Sequence, residues 1–208
     1  MRKYVVEFIG TFLFVLAICM IVLGGSAGSA APIGIGSMLM VMVFAGGHIS
    51  GGHYNPAVTL GVYLRGKLPA SDILPYMGVQ IAAGFIAPIV AALMLGDAPV
   101  TTPDRLEVVP SLIAEFIGAF ALVYVVLQVA TAEGTKGNSF YGLAIGFTVT
   151  TCAYAFGGVS GGAFNPAVAI GITTAEIKQF SDLWIFLVAN FAGGAVAAFT
   201  FLFVNGKD

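Results

Sequence analysis

The segment Ser50-Gly-Gly-His-Tyr-Asn-Pro-Ala-Val-Thr-Leu-Gly61 returns 110 positions later as Ser160-Gly-Gly-Ala-Phe-Asn-Pro-Ala-Val-Ala-Ile-Gly171, and both copies lie inside chain that is otherwise nearly unbroken hydrocarbon. Within each copy, Asn-Pro marks a helix start. Asparagine is a good N-cap, and proline is preorganised for the first helical turn, where its missing N–H costs nothing. A helix that begins at membrane depth leaves backbone groups without partners there. Hydrocarbon tolerates such an end only where it is buried in protein or lines a watery cavity. Two such starts at matching places point to a passage beside them.

Of the 208 residues, 59% are hydrophobic and only 9% charged, and the mean hydropathy is +1.00. Such a chain is a polytopic membrane protein, read here as a single domain over residues 1–208 with the lipid bilayer as its surroundings. A net charge of -2 without a basic tail gives no sign of a nucleic-acid partner. Arg2-Lys3 before an apolar run, followed by small residues from Gly24 to Ala31, has the outline of a signal peptide. Glu7 interrupts that run, however, and its tetrapeptide Glu-Phe-Ile-Gly recurs at Glu115–Gly118, so the first span is read as retained. Cys19 and Cys152 fall within apolar spans as two buried thiols, with no disulfide, metal site or cofactor implied.

Full spans are expected at about 4–23, 33–49, 71–95, 109–130, 139–157 and 181–204, each near the ~20 residues that cross a bilayer. Two shorter helical segments, Asn55 to Gly66 and Asn165 to about Thr174, follow the second and fifth spans. Eleven helical residues reach roughly 16 Å, about half of a ~30 Å hydrocarbon core, so both are read as re-entrant half-helices. Repeat one covers about 1–95 and repeat two about 109–208, with Glu7 matching Glu115 and Asn55 matching Asn165. Three crossings per half is an odd number, so the second half must be inverted relative to the first, a known transport architecture. Arg2, Lys3, Arg65, Lys67, Lys136 and Lys207 fall on one side of this layout, and Arg105 and Lys178 on the other. The excess places both termini in the cytoplasm. The charged connection Asp97–Glu107 is then extracellular. Glycines such as Gly142, Gly146, Gly193 and Gly194 are read as close helix packing and not as solute contacts.

The duplicated Asn-Pro-Ala, the Ser-Gly-Gly before each copy and the glutamate on the first span of each half resemble the aquaporin, or major intrinsic protein, family over essentially the whole chain. The resemblance implies an all-α membrane fold of six transmembrane helices plus two half-helices in inverted repeats, with one pore per subunit. It also implies a homotetramer in a cell membrane (plasma or inner). By the same resemblance Asn55-Pro56-Ala57 and Asn165-Pro166-Ala167 are pore motifs whose asparagine NH₂ groups donate to passing solute oxygens. Two facing helix starts, each carrying roughly +0.5 charge, oppose a cation at ~4 Å by about 4 kcal/mol at an effective dielectric of ~20. Desolvation adds to the ion's barrier, while water and uncharged solutes escape both terms.

Glu7 and Glu115 are ionisable groups inside spans, open to a proton-relay reading. Unravelled backbone in each half offers them a structural one, as acceptors for unpaired N–H groups. His48 and His53 flank the first loop, and Gly158 and Ala163 stand at the matching places in the second. The resemblance puts His48 on the cytoplasmic half of the pore and His53 near the loop, as neutral hydrogen-bonding residues or as a pH gate.

Spacing from the two asparagines carries the family's outer filter onto Ile35, Ala153, Gly162 and Val168. The last position is usually arginine in the family, and glycerol channels usually place an Asp where Ala169 stands. Here all four positions are small or aliphatic. The expected constriction is therefore wider than in a strict water channel and poor in side-chain donors, with Arg105 or Lys178 as the alternative source of a vestibule charge. Water is expected to pass, together with small neutral solutes in the range of glycerol, urea, ammonia, hydrogen peroxide or undissociated metalloid acids. A secondary transporter and a weakly selective ion channel are the competing classes. No nucleophile–base set or phosphate loop suggests an enzyme.

Overall fold

A computed structural model describes residues 1–96 and 105–206. Most of the Asp97–Glu107 connection, together with Lys207 from the charge asymmetry, lies outside the described residues. Among the described residues eight α-helices follow in order: α1 (Arg2–Gly24), α2 (Ala31–Ser50), α3 (Pro56–Leu64), α4 (Ala70–Leu95), α5 (Val108–Ala130), α6 (Tyr141–Ser160), α7 (Pro166–Thr174) and α8 (Leu183–Asn205). Six are long and apolar enough to cross a membrane, and the sequence boundaries agree to within a few residues. The half-helix after Asn55 is shorter than expected, ending at Leu64. The Arg65 amide makes the last helical bond, to the Gly61 carbonyl, and the Gly66 and Lys67 amides then close the turn onto the Tyr63 and Val62 carbonyls.

Close approach between helices is set by glycines at matching places in the two repeats. A Cβ on Gly36 would stand 2.4 Å from the Gly146 carbonyl oxygen, and one on Gly146 would stand 2.5 Å from that of Gly36, so α2 and α6 cross backbone to backbone. Each half-helix packs into the opposite repeat. At Gly84 of α4 a Cβ would meet the Ala167 oxygen of α7 at 2.4 Å, and at Gly194 of α8 it would meet the Ala57 oxygen of α3 at 2.8 Å. The repeats are thus interlocked, each holding the other's short helix.

The descending segments before α3 and α7 have no helix or strand to satisfy their amides, and a buried carboxylate does so in each. Ser50 Oγ and the His53 N–H donate to Glu7 Oε1 at 2.7 and 2.9 Å, and the Tyr54 N–H donates to Oε2 at 2.7 Å. Ser160 Oγ and the Ala163 N–H donate to Glu115 Oε1 at 2.6 and 3.0 Å, and the Phe164 N–H donates to Oε2 at 2.7 Å. Both glutamates are fully buried. Tyr54 and Phe164 take positive φ, 48° and 50°, a conformation that costs side-chain-bearing residues about 1–2 kcal/mol. Their rings lie over Gly10 and Gly118, where an added Cβ would come within 2.1 Å of each ring.

The braces differ in their outer members. Gln80 Nε2 donates to Glu7 Oε2 at 2.8 Å, and Gln80 also bonds Thr59, whose Oγ1 lies 3.1 Å from His53 Nδ1. At the matching places repeat two has Asn190, Ala169 and Ala163. Asn190 lies beside Glu115, one methylene shorter than Gln80, and neither of its buried amide atoms closes a hydrogen bond of ordinary geometry. Two outcomes follow. Gly118→Ala drives a methyl into the Phe164 ring and lowers stability by about 1–3 kcal/mol, read as a fall of about 2–10 °C in melting temperature in detergent; an unchanged melting temperature would show that the ring is free to move. Asn190→Gln, with room left by Ala163 and Ala169, reaches Glu115 as Gln80 reaches Glu7 and raises stability by about 1 kcal/mol, a shift of a few degrees in the same assay.

Candidate functional site: paired half-helix tips

The two short helices meet at their N-termini. Asn55 Oδ1 accepts from the Ala57 and Val58 amides at 2.8 and 3.4 Å, and Asn165 Oδ1 accepts from the Ala167 amide at 2.9 Å. Both residues have extended backbone at the cap, as an N-cap requires. With the oxygen committed to capping, each NH₂ is turned toward the other repeat. Asn55 Nδ2 donates to the Phe164 carbonyl at 3.0 Å, and Asn165 Nδ2 donates to the Tyr54 carbonyl at 2.9 Å. The strained Tyr54 and Phe164 backbones thereby serve both partners: their amides bind a carboxylate of their own repeat and their carbonyls bind the opposite asparagine. An amide NH₂ carries two protons, so each asparagine keeps one beyond this cross-bond.

A narrow cavity runs beside the pair. Its apolar walls include Phe14 and Leu122, Leu39 and Val149, which occupy matching places in the two repeats, while Asn55, Asn165 and His53 supply polar edges. The space open to the centre of a water molecule is about 10 Å³, roughly one water position. Toward the face that carries the chain's beginning lies a vestibule of about 520 Å³ that shares Ile145 with it and is lined by His48, Gly51, Lys67, Glu133 and Lys136. An adjoining recess of about 320 Å³ holds Lys3, His53, Lys67, Asp72 and Tyr76. There Lys3 Nζ and Tyr4 OH bind Asp72, tying the start of α1 to α4.

The structure brings some of the expected site residues together and leaves others apart. Asn55, Asn165 and His53 share the central cavity, and Glu7 and Glu115 stand behind it as acceptors. Every oxygen of the two carboxylates already accepts from the loop, so neither presents a free group to the path. His48 is exposed in the vestibule, whereas His53 is buried with Nδ1 engaged by Thr59. Ile35 and Ala153 are half-buried on α2 and α6, Gly162 is left-handed at φ 70°, and Val168 is buried in the first turn of α7. None of these four lines the central cavity, whereas Val58 and Ala163 do. Thr59, Gln80, Tyr76 and Asn190 escaped the sequence reading. The polar pair Gln80 and Asn190, 110 positions apart inside apolar spans, was the available signal.

Residues 1–201 match the sequence profile of the family described as Major intrinsic protein. Aquaporin NIP1-4 of Oryza sativa subsp. japonica is 36% identical over 174 residues, covering 82% of this chain and 63% of the rice protein. This match therefore spans less than two thirds of that relative's length. A probable aquaporin, NIP4-2 of Arabidopsis thaliana, is 30% identical over the whole chain and 76% of its own length. Among solved structures, the aquaglyceroporin from Plasmodium falciparum superposes with a TM-score of 0.78 over 95% of each chain at 22% identity, a likeness of fold. With six apolar spans, two interlocked half-helices and paired Asn-Pro-Ala tips, this multi-pass membrane protein belongs to the major intrinsic protein family of channels.

Proposed function

We propose that the chain is a passive channel for water and small uncharged solutes, whose path runs past the two half-helix tips and excludes ions by their paired positive ends. The observation that carries this reading is the reciprocal bonding of Asn55 and Asn165, which sets both tips together beside a cavity with room for about one water. A solute oxygen passing there meets the remaining amide protons. A cation meets two helix N-termini and must also shed its hydration against Phe14, Leu39, Leu122 and Val149. The aquaporin relatives support the same class of permeant. No enzyme chemistry is assigned.

Selectivity belongs to the same proposal. Ile35, Ala153, Gly162 and Val168 form the outer constriction, which is wide and apolar, so glycerol, urea, ammonia, hydrogen peroxide or undissociated metalloid acids accompany water. The termini face the cytoplasm, the protein resides in the cell membrane, and four copies assemble as a homotetramer. His48 and His53 act as hydrogen-bonding residues of the inner half.

Liposomes carrying the protein, shrunk osmotically with solutes of rising size, test this directly: re-swelling is expected with glycerol-sized solutes, and a sharp cut-off at water overturns the wide constriction. Val168→Arg should slow those larger solutes by about ten-fold, the effect of about 1.4 kcal/mol of barrier, and water by less. If the selectivity series is unmoved, Val168 does not line the constriction.

A further inference from the structure

The helices α2 and α6 end the same way, at Gly51 and Gly161, with φ of 94° and 99°. Gly51 faces water: together with Lys67 it lines both the vestibule and the recess beside it. Lys67 sits in the turn that ends α3, its amide bonded to the Val62 carbonyl at 3.0 Å. The matching turn ends α7, where the Ile177 and Lys178 amides bond the Ile172 carbonyl at 2.9 and 3.1 Å. Lys178 runs back across Gly161, so that a Cβ there would stand 2.4 Å from its Cε and 3.2 Å from Nζ. The inverted repeat places Gly161, the counterpart of Gly51, at the other end of the molecule, and there Lys178, one position after the counterpart of Lys67, lies across it. Among the described residues no carboxylate forms an ion pair with Lys178, and its side chain is half-buried.

We propose that Lys178 is a selectivity residue of the mouth opposite the termini: its side chain, laid across Gly161, brings an ammonium group there that repels cations. The proposal rests on the channel reading above. A fixed charge beside a low-dielectric opening raises the local potential for every approaching ion, while uncharged solutes are indifferent to it. The lysine stem lies over a residue without a side chain, which leaves it room to run back along the end of α6. A lysine that only snorkels to a lipid phosphate would have no influence on permeation.

Planar bilayers under a potassium chloride gradient give the cation-to-anion permeability ratio of any residual current, and light scattering from liposomes gives water flux in parallel. Lys178→Met, which keeps the apolar stem, should raise the ratio about ten-fold, the effect of a unit charge about 10 Å from the ion at an effective dielectric of about 20. Lys178→Glu should raise it further, and Lys178→Arg should match the parent. Variants that still carry water but leave the ratio unmoved overturn the proposal; a parent that carries neither water nor neutral solute overturns the channel reading instead. As a second measure, Lys178→Cys treated on the face opposite the termini with a bulky, membrane-impermeant thiol reagent should lose most of its water flux, the native Cys19 and Cys152 being buried. Labelling without loss of flux, or failure to label, overturns the placement.

Discussion

An amide N–H without a partner in hydrocarbon costs several kcal/mol, and this chain takes irregular backbone to membrane depth twice. The two buried carboxylates Glu7 and Glu115 meet that constraint, each collecting two loop amides and a serine hydroxyl. Once the amides of residues 53–54 and 163–164 are anchored, Tyr54 and Phe164 are held at positive φ and their carbonyls turn toward the opposite repeat. Asn165 and Asn55 then have acceptors for one amide proton each. The facing of the tips and the orientation of the donors depend on where those two carboxylates stand, while the caps themselves are local to Asn55 and Asn165.

The frame is symmetric and the lining is not. Glycines 10 and 118, 84 and 194, and the two glutamates recur because each half faces the same demands of close packing and backbone satisfaction. The lining has no such obligation. In repeat one, His53, Thr59 and Gln80 form a polar chain that reaches the central cavity, whereas Ala163 and Ala169 replace the first two in repeat two and leave Asn190 short. The cavity therefore has a hydrogen-bonding wall on the Asn55 side of the path and an apolar one at Ala163.

In the mechanism we propose, such a site discriminates by charge without a titrating gate. At the tips a cation faces two helix N-termini, apolar walls and room for about one water. Glu7 and Glu115, the groups a proton-coupled mechanism would use, already accept on both oxygens from the loops they hold.

Local chemistry made much of this legible in advance. Asn-Pro at 55 and 165 is a cap followed by a first-turn proline, and the span lengths follow from hydrocarbon thickness, so the eight helices and their starts were written in the sequence. The repeat offset identified which glutamate belonged to which loop. Other features depend on residues far apart in the chain and have no local signature. The sequence alone could not say that each asparagine bonds the other loop's carbonyl, that each half-helix packs on a glycine of the opposite repeat, or that Lys178 lies across Gly161. Hydrogen bonding within a turn is decided by neighbours in the chain, whereas contact between turns is decided by how inverted halves interlock, and only the packed molecule fixes that.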